Sequence, residues 1–239
     1  MDVCICVPVY DDWDNAVPLV EDFVGCNYNG VTLMIIDNGS NQQSKSLAKK
    51  IQEIENVSIV RIETNLGFGG AIQEAAKVTK ADWLVWMPGN MKVLTSEMSD
   101  FLCRLRSCPS STFVKAKRIR RPILDRVKTM IASVAQTIVA GKIMVDTGGT
   151  PSAVHRSNAL WREIPLAPTD YRFDSYMLFA ARHLGLQVER PKVPYHERLV
   201  GSSHWQSGFS AELHLMQSLL RSIIRWRIDK SLRRKVRNG

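Results

Sequence analysis

The sequence predicts an α/β fold with a mostly parallel central sheet flanked by helices, and three observations carry that prediction. Apolar runs at residues 3–9, 31–36 and 83–87 each break off into a small polar tip. The tips read Pro8-Val9-Tyr10-Asp11-Asp12, Asp37-Asn38-Gly39-Ser40 and Pro88-Gly89-Asn90. Short apolar runs bounded by Gly, Pro, Asn or Asp are the pattern of strands buried on both faces. Stretches with helical apolar spacing lie between them, and such alternation implies parallel strands joined by right-handed crossovers. Ligands of open α/β sheets bind at the carboxyl ends of the strands, so the three tips are expected to face one site.

After the first tip, residues 16–24 place Val17, Val20, Phe23 and Val24 at helical spacing. The strand over 31–36 precedes a predicted helix over 44–54, with Leu47, Ile51 and Ile54 on one face. Residues 57–62 alternate and are β-branched, a third strand. They feed Thr64-Asn65-Leu66-Gly67-Phe68-Gly69-Gly70 and then a helix over 71–78. The strand over 83–87 is followed by a helix over 96–105. The second half is less regular. It offers short strands at 113–116 and 152–155, a basic, Pro-broken segment at 115–126, and a weakly amphipathic helix over 126–143. A helix over 173–184 stops at Gly185, a favoured terminating residue. A strand over 187–193, a loop over 195–205 and one long basic helix over 211–236 complete the chain. The expected organisation is one domain over 1–210 with a C-terminal basic amphipathic arm over 211–239.

With 239 residues, 45% hydrophobic and 23% charged, the chain has an ordinary globular composition and enough length to bury a full core. Its net charge of +9 is concentrated at one end: from Arg221 onward, eight Lys and Arg stand against Asp229 alone. A basic tail suggests a polyanionic partner. No aromatic-basic RNA motif accompanies it, so an anionic membrane surface is expected rather than nucleic acid. Leu213, Met216, Leu220, Ile223 and Ile224 share one side of the arm, with Trp226 nearby, which fits an interfacial helix. A face packed on the domain, or on a second copy in a homodimer, explains the same pattern. The longest apolar stretch, 130–145, is interrupted by Ser133, Gln136, Thr137 and Lys142, too polar for a membrane span. The helix over 126–143 is expected to pack on protein, with a position near lipid as the alternative. The five cysteines form no paired C-x-x-C zinc pattern. Cys4 and Cys6 share a buried strand face, which suggests reduced thiols and a cytoplasmic protein. Asp2 and the lack of a basic leader argue against a signal peptide.

Gly67-Phe68-Gly69-Gly70 stands between a strand and a helix, where backbone N–H groups can face a phosphate. The third glycine of a dinucleotide fingerprint would fall at Ile72, so a tight turn is an equal reading. Taken in order, Val7-Pro8-Val9-Tyr10, Ile36-Asp37-Asn38-Gly39-Ser40 and Asn65-Leu66-Gly67 resemble the family 2 glycosyltransferases. In the second half, four segments resemble the dolichol-phosphate mannose synthase-like branch, which loads a sugar onto a polyprenyl phosphate. They are Asp146-Thr147-Gly148-Gly149-Thr150, His155-Arg156, Tyr171-Arg172-Phe173-Asp174 and Arg198-Leu199-Val200-Gly201-Ser202-Ser203-His204.

The resemblance implies a GT-A fold and inverting transfer from a nucleotide-diphosphate sugar. It implies donor contacts from Pro8, Tyr10, Asp12, Asp37, Asn38, Gly67, Gly70, Pro88, Gly89 and Asn90. For Asp12 and Asp14 a solvated loop or a helix N-cap is an equal reading. Asp146 is the leading catalytic candidate, as metal ligand or general base, against a turn-stabilising role. Arg198 is the second, since arginine grips phosphate bidentately. Lys117, Arg126, Ser203 and His204 are further acceptor-phosphate candidates, His204 when protonated. The implied acceptor is a polyprenyl phosphate at the cytoplasmic membrane face, where the protein would sit peripherally. A sugar hydroxyl of a surface polysaccharide or lipopolysaccharide is the alternative.

Two departures stand out. The family ends its fourth strand in Asp-x-Asp, which holds Mg²⁺ or Mn²⁺ against the diphosphate. Here Pro88-Gly89-Asn90 keeps one amide oxygen and no charge. Three readings follow: weak metal binding through Asn90 and a carboxylate such as Asp146, replacement of the metal's charge by Lys92, Arg118 or Arg198, or a non-catalytic relative that only binds nucleotide sugars. The family's second acidic residue after strand two is Asn38, whose amide both donates and accepts.

Overall fold

Residues with apolar side chains at successive positions form β-strands buried on both faces, seen most fully at residues 3–9 and 83–86. The parallel part of the sheet is completed by the strands over 31–38 and 57–62, the last of them half-exposed. The computed structural model describes residues 1–41, 51, 53–196 and 209–238, with side chains described over 213–229 of the last segment. In chain order the elements are β1 (Val3–Val9), α1 (Trp13–Cys26), β2 (Val31–Asn38), β3 (Val57–Ile62), α2 (Gly67–Val78) and β4 (Trp83–Trp86). Then come α3 (Ser99–Ser107), β5 (Phe113–Lys115), β6 (Lys117–Ile119), α4 (Ile123–Ala140), β7 (Ser152–His155), α5 (Phe173–His183), β8 (Val188–Glu189), β9 (Lys192–Pro194) and α6 (Phe209–Asn238).

Seven strands form one sheet in the order β3-β2-β1-β4-β7-β5-β8. β3, β2, β1 and β4 run parallel, β7 is antiparallel to β4 and β5, and β8 is parallel to β5. A separate parallel pair joins β6 to β9. Odd residues of β1 (Val3, Ile5, Val7, Val9) enter one core with Leu33 and Ile35 of β2, Leu19, Val20 and Phe23 of α1, and Phe101 and Leu105 of α3. Each such side chain, fully buried, stabilises by about 1.5–3 kcal/mol. α2 packs against β1 and β2 and buries Gly69, Gly70, Ala71, Ile72 and Ala75.

The α/β expectation holds, with local differences that have physical causes. The predicted helix over 44–54 falls largely outside the described residues, as does most of the loop over 195–205. α2 begins at Gly67, so the glycine cluster forms its first turn. The strand expected over 187–193 is two short strands flanking Arg190-Pro191, since proline has no N–H for a ladder. The basic segment at 115–126 contains β6.

Cys4 and Cys6 are buried, and burial pushes both thiols up from their ordinary range. Cys103 is exposed. A short pulse of maleimide on the native protein, read by mass spectrometry, is expected to modify Cys103 and leave Cys4 and Cys6 untouched until denaturant is added. Native labelling of either strand cysteine would contradict the packing of β1.

The chain divides into two units. The first, Met1–Arg121 with Gly148–Gly201, holds both sheets; the second, Pro122–Thr147 with Ser202–Gly239, holds α4 and α6. Within the second unit, Arg227 of α6 donates to the Val139 carbonyl at 3.1 Å and lies against Gly141, the left-handed residue that ends α4. The Ser133 hydroxyl accepts the Asp146 N–H at 3.0 Å, and Thr137 Oγ1 accepts that of Met144 at 3.0 Å. The buried residues of α4 are therefore Ser133, Gln136 and Ala140. Its apolar residues face outward: Ile123 is 77% exposed and Ile138 72%, with Leu124, Met130, Ile131 and Val134 also exposed. The helix packs against α6, and what it buries is Ser133, Gln136 and Ala140 rather than its large apolar side chains. Its hydroxyls face inward because they hold the returning backbone of residues 144–146.

Candidate active site

The parallel register brings the three tips together. Val9 pairs with Asp37 across β1 and β2, and Cys6 pairs with Trp86 across β1 and β4. Hydrogen bonds stitch the first two tips: Asp11 N–H donates to Ser40 Oγ at 3.0 Å, and Asn41 N–H donates to Asp11 Oδ1 at 2.9 Å. Tyr10 is exposed and Pro8 half-buried. Asp12 stands at the start of α1, but its carboxylate accepts from Asn15 Nδ2 at 2.7 Å and makes no bond to a capping backbone N–H.

Asp37 is buried. It accepts the Ser40 N–H at 3.0 Å and pairs with Arg61, whose second nitrogen donates to the Ser40 carbonyl at 3.0 Å. Arg61 and Asp37 are register partners on β3 and β2. The sequence reading treated Arg61 only as a strand residue and missed that it fixes the second tip. Its signal was available: an arginine in the strand expected beside Asp37. Asn38 is also buried. Its Nδ2 donates to Asn65 Oδ1 at 3.0 Å and to the Gly67 carbonyl at 3.1 Å, while its Oδ1 accepts the Leu66 N–H at 3.0 Å. The amide holds the Asn65-Leu66-Gly67 turn with both its donor and its acceptor, which a carboxylate cannot do.

The glycine turn is arranged differently from the phosphate-facing reading. Gly70 N–H donates to the Thr169 carbonyl at 2.8 Å. A Cβ on Gly67 (φ +77°) would lie 2.6 Å from Thr169 O, and one on Gly69 2.2 Å from Pro168 O. Gly67 N–H donates to Asn65 Oδ1 at 2.8 Å, so the expectation that Gly67 and Gly70 present N–H groups to the donor is corrected for both. These glycines admit the 168–170 segment, a close approach that the sequence does not announce.

At the third tip, a Cβ on Gly89 would lie 2.9 Å from Val7 Cγ1 and 3.3 Å from the Pro8 carbonyl, so the tip lies across the end of β1. Asn90 Oδ1 accepts the Lys92 N–H at 3.3 Å. Behind the tip, Trp86 Nε1 donates to Asp174 Oδ1 at 3.0 Å. The same oxygen accepts from the fully buried Lys115 ammonium at 3.1 Å, which also donates to the Gly149 carbonyl at 2.7 Å and Ser152 Oγ at 3.1 Å. Asp174 of the Tyr171-Arg172-Phe173-Asp174 segment is therefore one half of a buried ion pair. Lys115, read from sequence only as part of a basic segment, is the other.

The remaining candidates are distributed as follows. Lys117 is exposed on β6, opposite Lys192 of β9. Asp146 and Arg126 belong to the second unit, Asp146 buried with φ +45° and Arg126 on α4. Arg198, Ser203 and His204 lie outside the described residues. Among the described residues no three His, Cys, Asp or Glu side chains gather as a metal-binding set. A hard divalent cation takes six or more oxygens, with carboxylates favoured. The described donors at the third tip, an amide oxygen already accepting a backbone N–H, do not fit one.

The family model described as Glycosyl transferase family 2 matches residues 4–88, which contain the first two tips and end on Pro88, the first residue of the third. No curated protein sequence matches. Among solved structures, the chain is similar to glucosyl-3-phosphoglycerate synthase from Mycobacterium tuberculosis in complex with Mn²⁺, UDP and glucosyl-3-phosphoglycerate. The TM-score is 0.69 at 14% identity, over 95% of this chain and 79% of that one. It is similar to the mannosyltransferase PcManGT from Pyrobaculum calidifontis in complex with GDP-Man and Mn²⁺, with a TM-score of 0.64 at 16% identity, over 84% of this chain and 58% of that one. It is also similar to S. aureus TarS 1–349 in complex with UDP-GlcNAc, with a TM-score of 0.59 at 13% identity, over 95% of this chain and 72% of that one. Residues 4–88 thus match the family 2 glycosyltransferase model, and the fold is the GT-A-like architecture of these solved structures.

Proposed function

We propose that this glycosyltransferase binds a nucleotide-diphosphate sugar across the tips of β1, β2 and β4 and transfers the sugar, with inversion, to a polyprenyl phosphate at the cytoplasmic face of a membrane. The donor half of the reading is supported by the adjacency of the tips and by the structural neighbours, which hold UDP, GDP-Man or UDP-GlcNAc. The acceptor half is carried by the outward apolar face of α4. A groove of about 380 Å³ runs along this helix, lined by Met130, Val134, Ile138 and Val145, with Arg126 at its N-terminal end. An isoprenoid chain matches the apolar lining, and a guanidinium beside it matches the phosphate. Apolar helix faces flanked by basic residues bind anionic bilayers, each Lys or Arg near the surface adding about 1 kcal/mol. The arm over 211–239 supplies many such residues.

In this reading Arg126, at the end of the groove, serves the acceptor phosphate. A phosphate anion attacks without losing a proton, so alignment and charge screening dominate. Asp146 serves as base only when the acceptor is a sugar hydroxyl.

The test is transfer from UDP-, GDP- and CDP-sugars to polyprenyl phosphate or to an oligosaccharide, in vesicles rich in anionic lipid. Transfer to the lipid phosphate is expected. Ile131→Glu together with Ile138→Glu is expected to abolish vesicle co-sedimentation and cut that transfer at least tenfold, without changing Tm, because both side chains are already exposed. Transfer to the saccharide alone would overturn the acceptor. Unchanged co-sedimentation, or a dimer that the substitutions dissociate, would overturn the membrane role of α4.

A further inference from the structure

Three cations of the first unit converge on one aromatic ring beside the third tip. Lys92 Nζ lies 5.7 Å from the centroid of Tyr195, the Arg118 guanidinium 5.2 Å and the Arg121 guanidinium 5.8 Å. The ring packs against the hydrophobic core, and all three cationic residues are half-buried. Such contacts hold cations in place by the ring's quadrupole.

The cluster is tied to the tip by backbone bonds. Lys92 N–H donates to Asn90 Oδ1, and the Lys92 carbonyl accepts the His196 N–H at 2.8 Å. Arg118 lies on β6, whose pairing with β9 places it opposite Val193, two residues before Tyr195. Its guanidinium also borders Gly148, 3.6 Å from where a Cβ would stand.

We propose that Lys92, Arg118 and Arg121 form the diphosphate-binding site of the donor and supply there the positive charge that a metal would otherwise provide. The proposal rests on the donor reading above and adds to it what holds the diphosphate. It draws on two independent features: the third tip lacks carboxylates to hold a cation, and fixed cations are gathered next to that tip. Two guanidinium forks can each take two phosphate oxygens, and the lysine adds a point charge. In inverting transfer, an acceptor oxygen forms a bond to the anomeric carbon as the bond from that carbon to the β-phosphate oxygen breaks. The bonding pair leaves on the nucleoside diphosphate. The cluster stabilises that growing charge without reorganisation, since the ring and the β6–β9 pair already hold it.

The test is calorimetric titration of the full chain with UDP and GDP, and with uridine and guanosine, each in EDTA and with Mn²⁺. In EDTA one of the diphosphates is expected to bind, and Arg118→Ala and Arg121→Ala are each expected to raise its Kd at least tenfold. The matching nucleoside should bind variant and wild type within twofold, which also shows that the variants keep a folded site. Arg118→Lys should recover part of the loss, and Lys80→Ala, an exposed lysine on the loop after α2, should have no effect. Raising NaCl from 50 to 500 mM should weaken the diphosphate and spare the nucleoside. Diphosphate binding that requires Mn²⁺, or that survives loss of both arginines in EDTA, would overturn the proposal and leave the donor reading standing. Failure of every nucleotide and nucleoside to bind wild type would overturn both.

Discussion

Lys115→Ala is expected to lower the free energy of unfolding by about 3–5 kcal/mol, the usual cost of removing one partner from a buried ion pair. Lys115 has no exposed surface and lies among Asp174, Ser152 and the Gly149 carbonyl. Without the ammonium, Asp174 becomes a buried anion left, among the described residues, with Trp86 Nε1 and Ser152 Oγ to compensate it. Single domains are stable by about 5–15 kcal/mol in total, so this one change removes a large fraction. Urea unfolding followed by tryptophan fluorescence measures it, and Trp86 lies within the network. Lys115→Met with Asp174→Leu is expected to recover much of the loss, because a neutral pair leaves no buried charge. A loss under about 1 kcal/mol for the single variant would show that the pair is solvated in a way its burial denies.

Asn38→Asp is expected to cost about 3 kcal/mol, although it restores the acidic residue of the family pattern. The substitution removes two donated hydrogen bonds and sets a carboxylate against Asn65 Oδ1 and the Gly67 carbonyl. Each buried group left unsatisfied costs about 1–3 kcal/mol, and a charge costs more. The Asn65-Leu66-Gly67 turn would separate from β2. That separation would disturb Gly39, where an added Cβ would lie only 2.7 Å from Asn65 N. Thermal unfolding together with the nucleotide Kd reads both effects. Unchanged stability would mean that the Asn38 amide does not hold the turn.

These two networks also mark where sequence reading works and where it stops. The parallel strands were legible because a strand buried on both faces must be apolar throughout, and its polar end is abrupt. Val9, Asp37 and Pro88 fall at such ends, and the register puts the first two side by side. Lys115 was not legible. Its partner Asp174 is 59 residues away, and a lysine in a basic stretch gives no local sign that it points inward. The β6–β9 pair escaped for a related reason: each strand has three residues and neither alternates. α4 shows the opposite failure. Its apolar spacing is genuine, but spacing tells only that a face exists, and the Ser133 and Thr137 hydroxyls decide that the other face is buried. The departures from the family pattern divide in the same way. Asn38 is accounted for by the turn it holds, whereas Asn90 leaves the third tip without carboxylates.

The tips of β1, β2 and β4 are proposed to bind a nucleotide sugar. A thermal-shift panel of UDP-, GDP- and CDP-sugars, each with and without Mn²⁺, tests it most directly, because a ligand of the native state raises stability by about 2.7 kcal/mol at 100 times its Kd. At least one donor is expected to raise Tm, with the rise persisting in EDTA. No rise with any donor, with or without Mn²⁺, would contradict it.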